Sequence, residues 1–188
     1  YLFTISAVDM GKTTPTIVGM ALAGVLLGGC HPNSHKETVQ TTLAAKADTL
    51  QNIEIADMDR NYVALYDEIS KHDITSIDFW ASWCGPCMNE MPRLVKLYAD
   101  YKDSGLGIIG ISLDKDHHAW QQAVVEQGMT WLQLSELRGW DCTAAQMNGV
   151  QSIPHTVVVD NKARILAKGL RGEELRMLIE DTLKGVDK

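Results

Sequence analysis

Two cysteines, Cys84 and Cys87, are separated by Gly85 and Pro86. This spacing brings both sulfurs within reach of a disulfide across the first turn of a helix. If a helix begins here, the first cysteine lies beyond its N-terminus, where the helix dipole and unpaired N–H groups stabilise a thiolate and lower the thiol pKa. Pro86 suits the first helical turn, where a missing N–H costs little. The pair therefore indicates a redox-active dithiol.

Two other interpretations of this pair are half of a zinc site and a purely structural bridge. A zinc site needs about four ligands, but the only other cysteine downstream is Cys142, and no histidine stands at zinc-finger spacing. We therefore predict no metal site, while the structural bridge stays open. Cys142 is predicted to be a buried structural cysteine, with a third redox thiol as the alternative.

The residues around the pair alternate between strand and helix patterns. Residues 74–80 predict a strand that ends just before Cys84, and apolar residues at helical spacing follow Cys87. The apolar run at 106–113 predicts a strand covered on both faces. Further strands are predicted at 52–56, 131–134, 155–159 and 164–167, and residues 58–63 predict a turn into a short strand. Further helices are predicted at 65–71, 116–127, 141–147 and 172–183. This alternation indicates an α/β fold whose central strands are parallel.

Length and charge restrict the class of protein. The 188 residues leave room for one compact domain. The 17 Lys and Arg residues are outnumbered by 24 Asp and Glu residues, so the net charge is −7. No basic run is present, and neutralising nucleic-acid phosphates needs clustered Lys and Arg. We therefore expect no nucleic-acid partner.

The segment 77–87 reads IDFWASWCGPC and resembles the thioredoxin active-site segment nearly letter for letter. With Glu90 and Pro92, its continuation resembles the C-x-x-C-x-x-E-x-P pattern of the TlpA/ResA-like extracytoplasmic branch. The resemblance covers residues 52–183 and is strongest to thioredoxin-like lipoproteins of Bacteroides-type bacteria. It implies a thioredoxin fold, a three-layer α/β/α sandwich with a central mixed sheet.

The resemblance also implies catalytic roles. Cys84, expected at an exposed position, would attack a substrate disulfide, and Cys87 would resolve the mixed disulfide. Asp78 matches the buried acid behind the second cysteine and would accept its proton, with a pKa raised by burial. The alternative is an Asp78 that faces solvent. Glu90 either shares the proton-transfer role or faces solvent from its helix.

Substrate binding is implied for residues around the pair. Ile153 and Pro154 match the family's cis-proline loop, which leaves the backbone of Ile153 free to pair with an extended substrate. Trp83 would shield the sulfur of Cys84 and offer an apolar surface. The complete predicted substrate-binding set is Trp83, Gly85, Pro86, Ile153 and Pro154.

An insertion relative to plain thioredoxin spans residues 115–150, as is general in this branch. It carries three tryptophans, Trp120, Trp131 and Trp140. Their scattered spacing predicts core positions. A groove for a partner is the alternative.

A short apolar segment near the N-terminus resembles a secretion signal. Lys12 is followed by the uncharged residues 16–29, which are too few for a bilayer span of about 20 residues but suit the core of a signal peptide. Small residues directly before Cys30 resemble a bacterial lipobox, in which the cysteine is lipidated and the chain is cut before it. A buried helix that ends at Cys30 is the alternative.

These assignments divide the chain into three parts. Residues 1–29 are predicted as the signal peptide, with 10–29 as the true signal and 1–9 upstream of the start. The polar residues 30–51 are predicted as the lipidated Cys30 and a flexible tether. Residues 52–188 are predicted as the thioredoxin-like domain.

The expected function is thiol–disulfide exchange with protein substrates, in the reducing direction, through Cys84 and Cys87. The expected location is the cell envelope, lipid-anchored at the periplasmic or surface face of a bacterial membrane. No bound cofactor is needed, because electrons would come from a partner dithiol, and a membrane electron donor is an expected partner. Two alternatives stay open: a non-catalytic lipoprotein with a structural bridge, and a thiol peroxidase on the same fold.

Overall fold

The computed structural model describes residues 48–186. The predicted signal peptide, the predicted lipidation site Cys30 and most of the predicted tether lie outside the described residues.

Within the described range the chain alternates between strands and helices, and an element is present in each predicted segment. The strands are β1 (Glu54–Ala56), β2 (Tyr62–Ala64), β3 (Ile74–Trp80), β4 (Leu106–Ser112), β5 (Leu132–Ser135), β6 (His155–Asp160) and β7 (Ile165–Lys168). The α-helices are α1 (Leu65–Ile69), α2 (Gly85–Tyr101), α3 (His117–Glu126), α4 (Thr143–Met147) and α5 (Gly172–Val186). Short 3-10 turns occupy Lys102–Ser104 and Gly139–Asp141, so the helix predicted over 141–147 is shorter than expected and follows a 3-10 turn.

Five strands form one sheet in the order β5-β4-β3-β6-β7. The three strands β3, β4 and β5 run parallel, whereas β6 pairs antiparallel with β3, and β7 pairs antiparallel with β6. The predicted central mixed sheet is therefore confirmed. The expectation of parallel central strands holds for β3 and β4 but not for the inner strand β6, which is antiparallel to β3. The strands β1 and β2 form a separate antiparallel pair.

The central strands β3 and β4 are buried along their whole length. In β3 this burial includes the polar side chains of Thr75, Ser76 and Asp78. The helices α2 and α5 pack against each other, α2 also against β4 and α5 against β3. Because β3 is buried along its whole length, the loop that follows Trp80 starts from a rigid part of the fold.

The folded domain begins earlier than residue 52, the start that the sequence pattern predicted. Leu50 is fully buried in the core, and its N–H donates to the carbonyl oxygen of Ala163 at 3.0 Å. The hydroxyl of Tyr66 donates to the carbonyl oxygen of Leu50 at 2.6 Å. One apolar side chain at the end of a polar segment thus anchors this part of the chain, where a flexible tether was expected.

Candidate active site

The loop between β3 and α2 carries the cysteine pair at the start of a 17-residue helix. Cys84 is the N-cap residue of α2, and its sulfur accepts a hydrogen bond from the N–H of Cys87 at 3.2 Å. Pro86 lies in the first helical turn, as predicted. Cys84 and Cys87 form a disulfide with their Cα atoms 5.2 Å apart. The sulfur of Cys84 therefore sits at the positive end of the α2 dipole, where a thiolate is stabilised once the bridge is reduced.

The two cysteines differ in their access to solvent. Cys84 is 5 % exposed, whereas Cys87 is fully buried. The prediction of an exposed Cys84 is therefore wrong. The residue is part of the hydrophobic core cluster, and only a small part of its surface is accessible. Its neighbour Trp83 is 56 % exposed, and Gly85 and Pro86 are exposed as well. Of the two cysteines, only Cys84 therefore retains accessible surface, and exposed residues flank it on both sides in the sequence.

Asp78 lies in β3 and is buried, so the alternative of a solvent-facing carboxyl is wrong. Its pKa is raised to about 7, mainly because burial removes water from the charged form. The charge of Glu90 raises this pKa further, while the positive charge of Arg171 lowers it. Asp78 can therefore gain and lose a proton near neutral pH, as an acid–base group must.

Glu90 connects two helices and does not simply face solvent, which overturns one of its two predicted interpretations. Only 13 % of its side chain is exposed. Its Oε1 accepts the N–H of Gly172 at 2.8 Å, at the first residue of α5. Its Oε2 accepts a hydrogen bond from Arg93 at 2.9 Å. The carboxylate thus joins α2 to α5 and adds negative charge near Asp78.

The peptide bond between Ile153 and Pro154 is cis, as the family resemblance implied. Pro154 is buried and Ile153 is half-buried. The next residue, His155, begins β6 and pairs with Phe79 of β3. Since Phe79 is one residue from the end of β3, this loop and the loop that carries Cys84 emerge at the same edge of the sheet.

Asp114 was not found by sequence reasoning, although it holds the loop that precedes Cys84. The residue follows β4 and is buried. Its carboxylate accepts the main-chain N–H of Ser82 at 3.0 Å and the Ser82 hydroxyl at 2.7 Å. It also accepts the hydroxyl of Ser112 at 2.7 Å. Asp114 is therefore a positioning residue for the cysteine loop, and its one sequence signal is a carboxylate directly after a buried strand.

No group of three or more His, Cys, Asp or Glu residues within residues 48–186 is placed to hold a metal ion. Cys142 is buried, and its thiol donates to Oε1 of Glu136 at 3.4 Å. Burial raises its pKa to about 11. Within the part of the chain that the structure describes, the chemistry therefore concentrates at Cys84 and Cys87.

The mixed sheet, together with a cysteine pair at the start of a helix, is the arrangement of a thioredoxin-type protein. Comparisons with known proteins identify the family. The Redoxin family model matches residues 45–183, so the chain belongs to the Redoxin family. Thiol-disulfide oxidoreductase ResA of Bacillus thuringiensis subsp. konkukian is 25 % identical over 135 residues, which cover 72 % of this chain and 75 % of that protein.

Solved structures agree with this placement. The thioredoxin domain of a thiol-disulfide oxidoreductase from Bacteroides vulgatus is 31 % identical, with a TM-score of 0.65 over 73 % of this chain and 96 % of that chain. A thiol:disulfide interchange protein from Bacteroides sp. is 30 % identical, with a TM-score of 0.64 over 74 % and 91 %. The fold is therefore the thioredoxin fold, and the chain is a TlpA/ResA-like thiol-disulfide oxidoreductase.

Replacing Asp114 with Asn should lower the free energy of unfolding by about 2–3 kcal/mol, because the amide has one acceptor oxygen and leaves buried donors unpaired. Urea unfolding of the oxidised chain measures the change. The matched control is Asp116→Asn at the exposed N-cap of α3, where Asn is an equally good cap, so a change below about 0.5 kcal/mol is expected. Equal effects of the two variants would show that Asp114 does not hold the loop.

Replacing Asp78 with Asn should stabilise the chain at about pH 8, by at most about 4 kcal/mol. The folded chain keeps the Asp78 proton up to about pH 7, whereas the unfolded chain releases it near its ordinary pKa of 3.8. The free energy of unfolding therefore falls as the pH rises from the unfolded pKa of 3.8 to the folded pKa of about 7. Asn avoids this loss because it does not ionise.

Urea unfolding between about pH 4 and pH 8 tests this expectation, with Asp181→Asn on the exposed side of α5 as the control. The gain from Asp78→Asn should shrink towards zero at the acid end. A gain that does not depend on pH would contradict the buried carboxyl as its source.

Proposed function

We propose that Cys84 and Cys87 form the redox couple of this oxidoreductase and that the couple reduces disulfides in protein clients outside the cytoplasm. The observation that carries the proposal is the disulfide at the start of α2, in which only Cys84 retains accessible surface. A purely structural bridge has no need of one accessible sulfur at a helix N-terminus, where a thiolate is stabilised.

The exchange proceeds in two steps that conserve electrons. The thiolate of reduced Cys84 attacks one sulfur of the client disulfide, so that a Cys84–client bond forms and the second client sulfur leaves as a thiolate. Cys87 then loses its proton and attacks the sulfur of Cys84, which expels the first client sulfur. The client gains two electrons and two protons, and the chain is left with the Cys84–Cys87 disulfide found in the structure.

Asp78 accepts the proton of Cys87 in the second step. Two features support this role: Asp78 is buried in β3, and its pKa of about 7 lets it take a proton at neutral pH. Glu90 contributes as a second carboxylate, because its charge raises the affinity of Asp78 for the proton. We assign Glu90 to tuning Asp78 and to joining α2 with α5.

The client binds around the exposed edge of the pair. Trp83, Gly85 and Pro86 surround the approach to Cys84, and their exposure supports a contact role. The loop of Ile153 and Pro154 emerges at the same edge of the sheet and offers the backbone of Ile153 to an extended client chain.

Two sequence features support the proposed reducing direction and the proposed location. The Gly-Pro pair between the cysteines matches reducing thioredoxins, and the lipobox-like segment before Cys30 fits a lipid anchor at a membrane surface. A dithiol protein of the membrane would supply the electrons, because a reductase in an oxidising compartment must be recharged. None of the helices within residues 48–186 combines the length and the apolar character that a membrane span requires.

Replacing Cys84 with Ser should lower the rate of disulfide reduction by about 1,000-fold or more, because a hydroxyl is not ionised at neutral pH. Cys87→Ser should still attack but stop at a mixed disulfide on Cys84, since the resolving thiol is missing. Mass spectrometry of the pre-reduced full chain, mixed with a peptide that contains one disulfide, detects both outcomes.

Cys142→Ser is the matched control for these variants. Because its thiol is buried and has a pKa of about 11, we expect a rate within about twofold of the unmodified chain. A mixed disulfide on Cys142, or full activity of Cys84→Ser, would contradict the proposal. A faster reaction with hydrogen peroxide than with the peptide would instead favour a thiol peroxidase.

A further inference from the structure

A groove of about 500 Å³ lies beside Trp83, on the surface next to the cysteine pair. Trp83 and Trp140, the latter in the 3-10 turn Gly139–Asp141, both line this groove. Ala119 adds to the apolar lining. The volume falls within the range of about 300–1,000 Å³ that is usual for ligand pockets, so a large side chain fits.

Trp140 is exposed, although its spacing predicted a core position. It is 45 % exposed, whereas Trp120 and Trp131 of the same insertion are buried. Two exposed indole rings that line one groove form an apolar surface of the kind that marks interaction sites in soluble proteins. Tryptophan is also enriched among the residues that dominate binding energy in protein interfaces.

The groove is held in place by the same contacts that position the cysteine loop. Asp114 accepts two hydrogen bonds from Ser82 and is itself part of the lining. Gly139 has a positive φ of 62°, and a side chain there would lie 2.6 Å from Cε of Lys115. The stem of Lys115 therefore packs closely over Gly139, which a larger residue would prevent. A preformed groove of this kind binds without first being ordered.

Charge at the rim of the groove favours a basic partner. Asp116 and Asp141 are both exposed and line the groove together with a single lysine, Lys115. Hydrogen bonds from the backbone N–H groups of Ala119 and His118 hold the pKa of Asp116 below its usual value, so this carboxylate stays ionised at neutral pH. The whole chain is also acidic, with a net charge of −7. Basic residues in a partner are therefore attracted to this side of the cysteine pair.

The position of the groove connects it to the chemistry. Trp83 directly precedes Cys84, so a client bonded to Cys84 must place its neighbouring residues within reach of this surface. An extended chain advances about 3.3 Å per residue, so a side chain only a few positions from the client cysteine reaches the groove.

We infer that the groove between Trp83 and Trp140 selects clients by binding an aromatic or large aliphatic side chain close to the reacting cysteine, with a preference for adjacent Lys or Arg. This inference rests on the proposed function and names the chemistry of its client. The insertion that carries Trp140 thereby gives this chain its own substrate preference.

Two peptides of equal length, each with one disulfide, test the inference. One carries Trp and Lys next to a cysteine, and the other carries Ser and Glu at the same positions. Single-turnover kinetics with the pre-reduced full chain give kcat/KM for each. We expect the Trp–Lys peptide to react about tenfold faster, which corresponds to about 1.4 kcal/mol.

Trp140→Ala should reduce this ratio to near one by slowing only the Trp–Lys peptide. Asp141→Lys is a second variant that leaves the indole in place, and it should shift the ratio towards the Glu-bearing peptide. Tyr62→Ala removes an aromatic side chain that is 76 % exposed outside the groove, so its ratio should equal that of the unmodified chain.

Several results would overturn the inference. Equal rates for both peptides, or a loss in Trp140→Ala that affects both peptides alike, would show that the groove does not select clients. A change of oligomeric state in Trp140→Ala, seen by sedimentation, would show that a second copy of the chain covers the groove. If the unmodified chain reduced neither peptide, the proposed function would fail and this inference would fail with it.

Discussion

The junction between β3 and α2 depends on one buried carboxylate. Asp114 accepts both the main-chain N–H and the hydroxyl of Ser82, and it also binds Ser112 at the end of β4. Since Ser82 stands two residues before Cys84, this interaction fixes the path of the chain from strand to helix. Cys84 then caps α2 by accepting the N–H of Cys87. The positions of the disulfide and of the groove beside it both depend on this junction.

A second constraint is the burial of an ionisable side chain in β3, the strand that leads to the pair. Asp78 is buried in the sheet, and its raised pKa means that the ionised form costs folding free energy. Glu90 adds to that cost while it joins α2 to α5. A domain built for stability alone has little reason to keep two carboxyls so close. Their presence is consistent with an acid–base role, in which a group that ionises near neutral pH is required.

Local patterns were sufficient for much of the fold. The period of apolar residues predicted the strand and helix on either side of Cys84, because both signals lie within a few residues. The contact between Asp114 and Ser82 spans 32 positions, so no local pattern reports it. The sequence around Leu50 predicts a tether because the neighbouring residues are polar. The spacing of Trp140 predicts a core position, but spacing alone does not tell which face of an insertion meets solvent.

We propose that Cys84 and Cys87 form a reducing dithiol couple. The equilibrium reduction potential of this pair, measured on the full chain against a glutathione buffer, decides whether they do. We expect a reversible two-electron couple at about −250 mV, close to the value of about −270 mV for thioredoxin. A potential of about −120 mV would make the chain an oxidant, and the absence of a reversible couple would contradict the catalytic assignment of the pair.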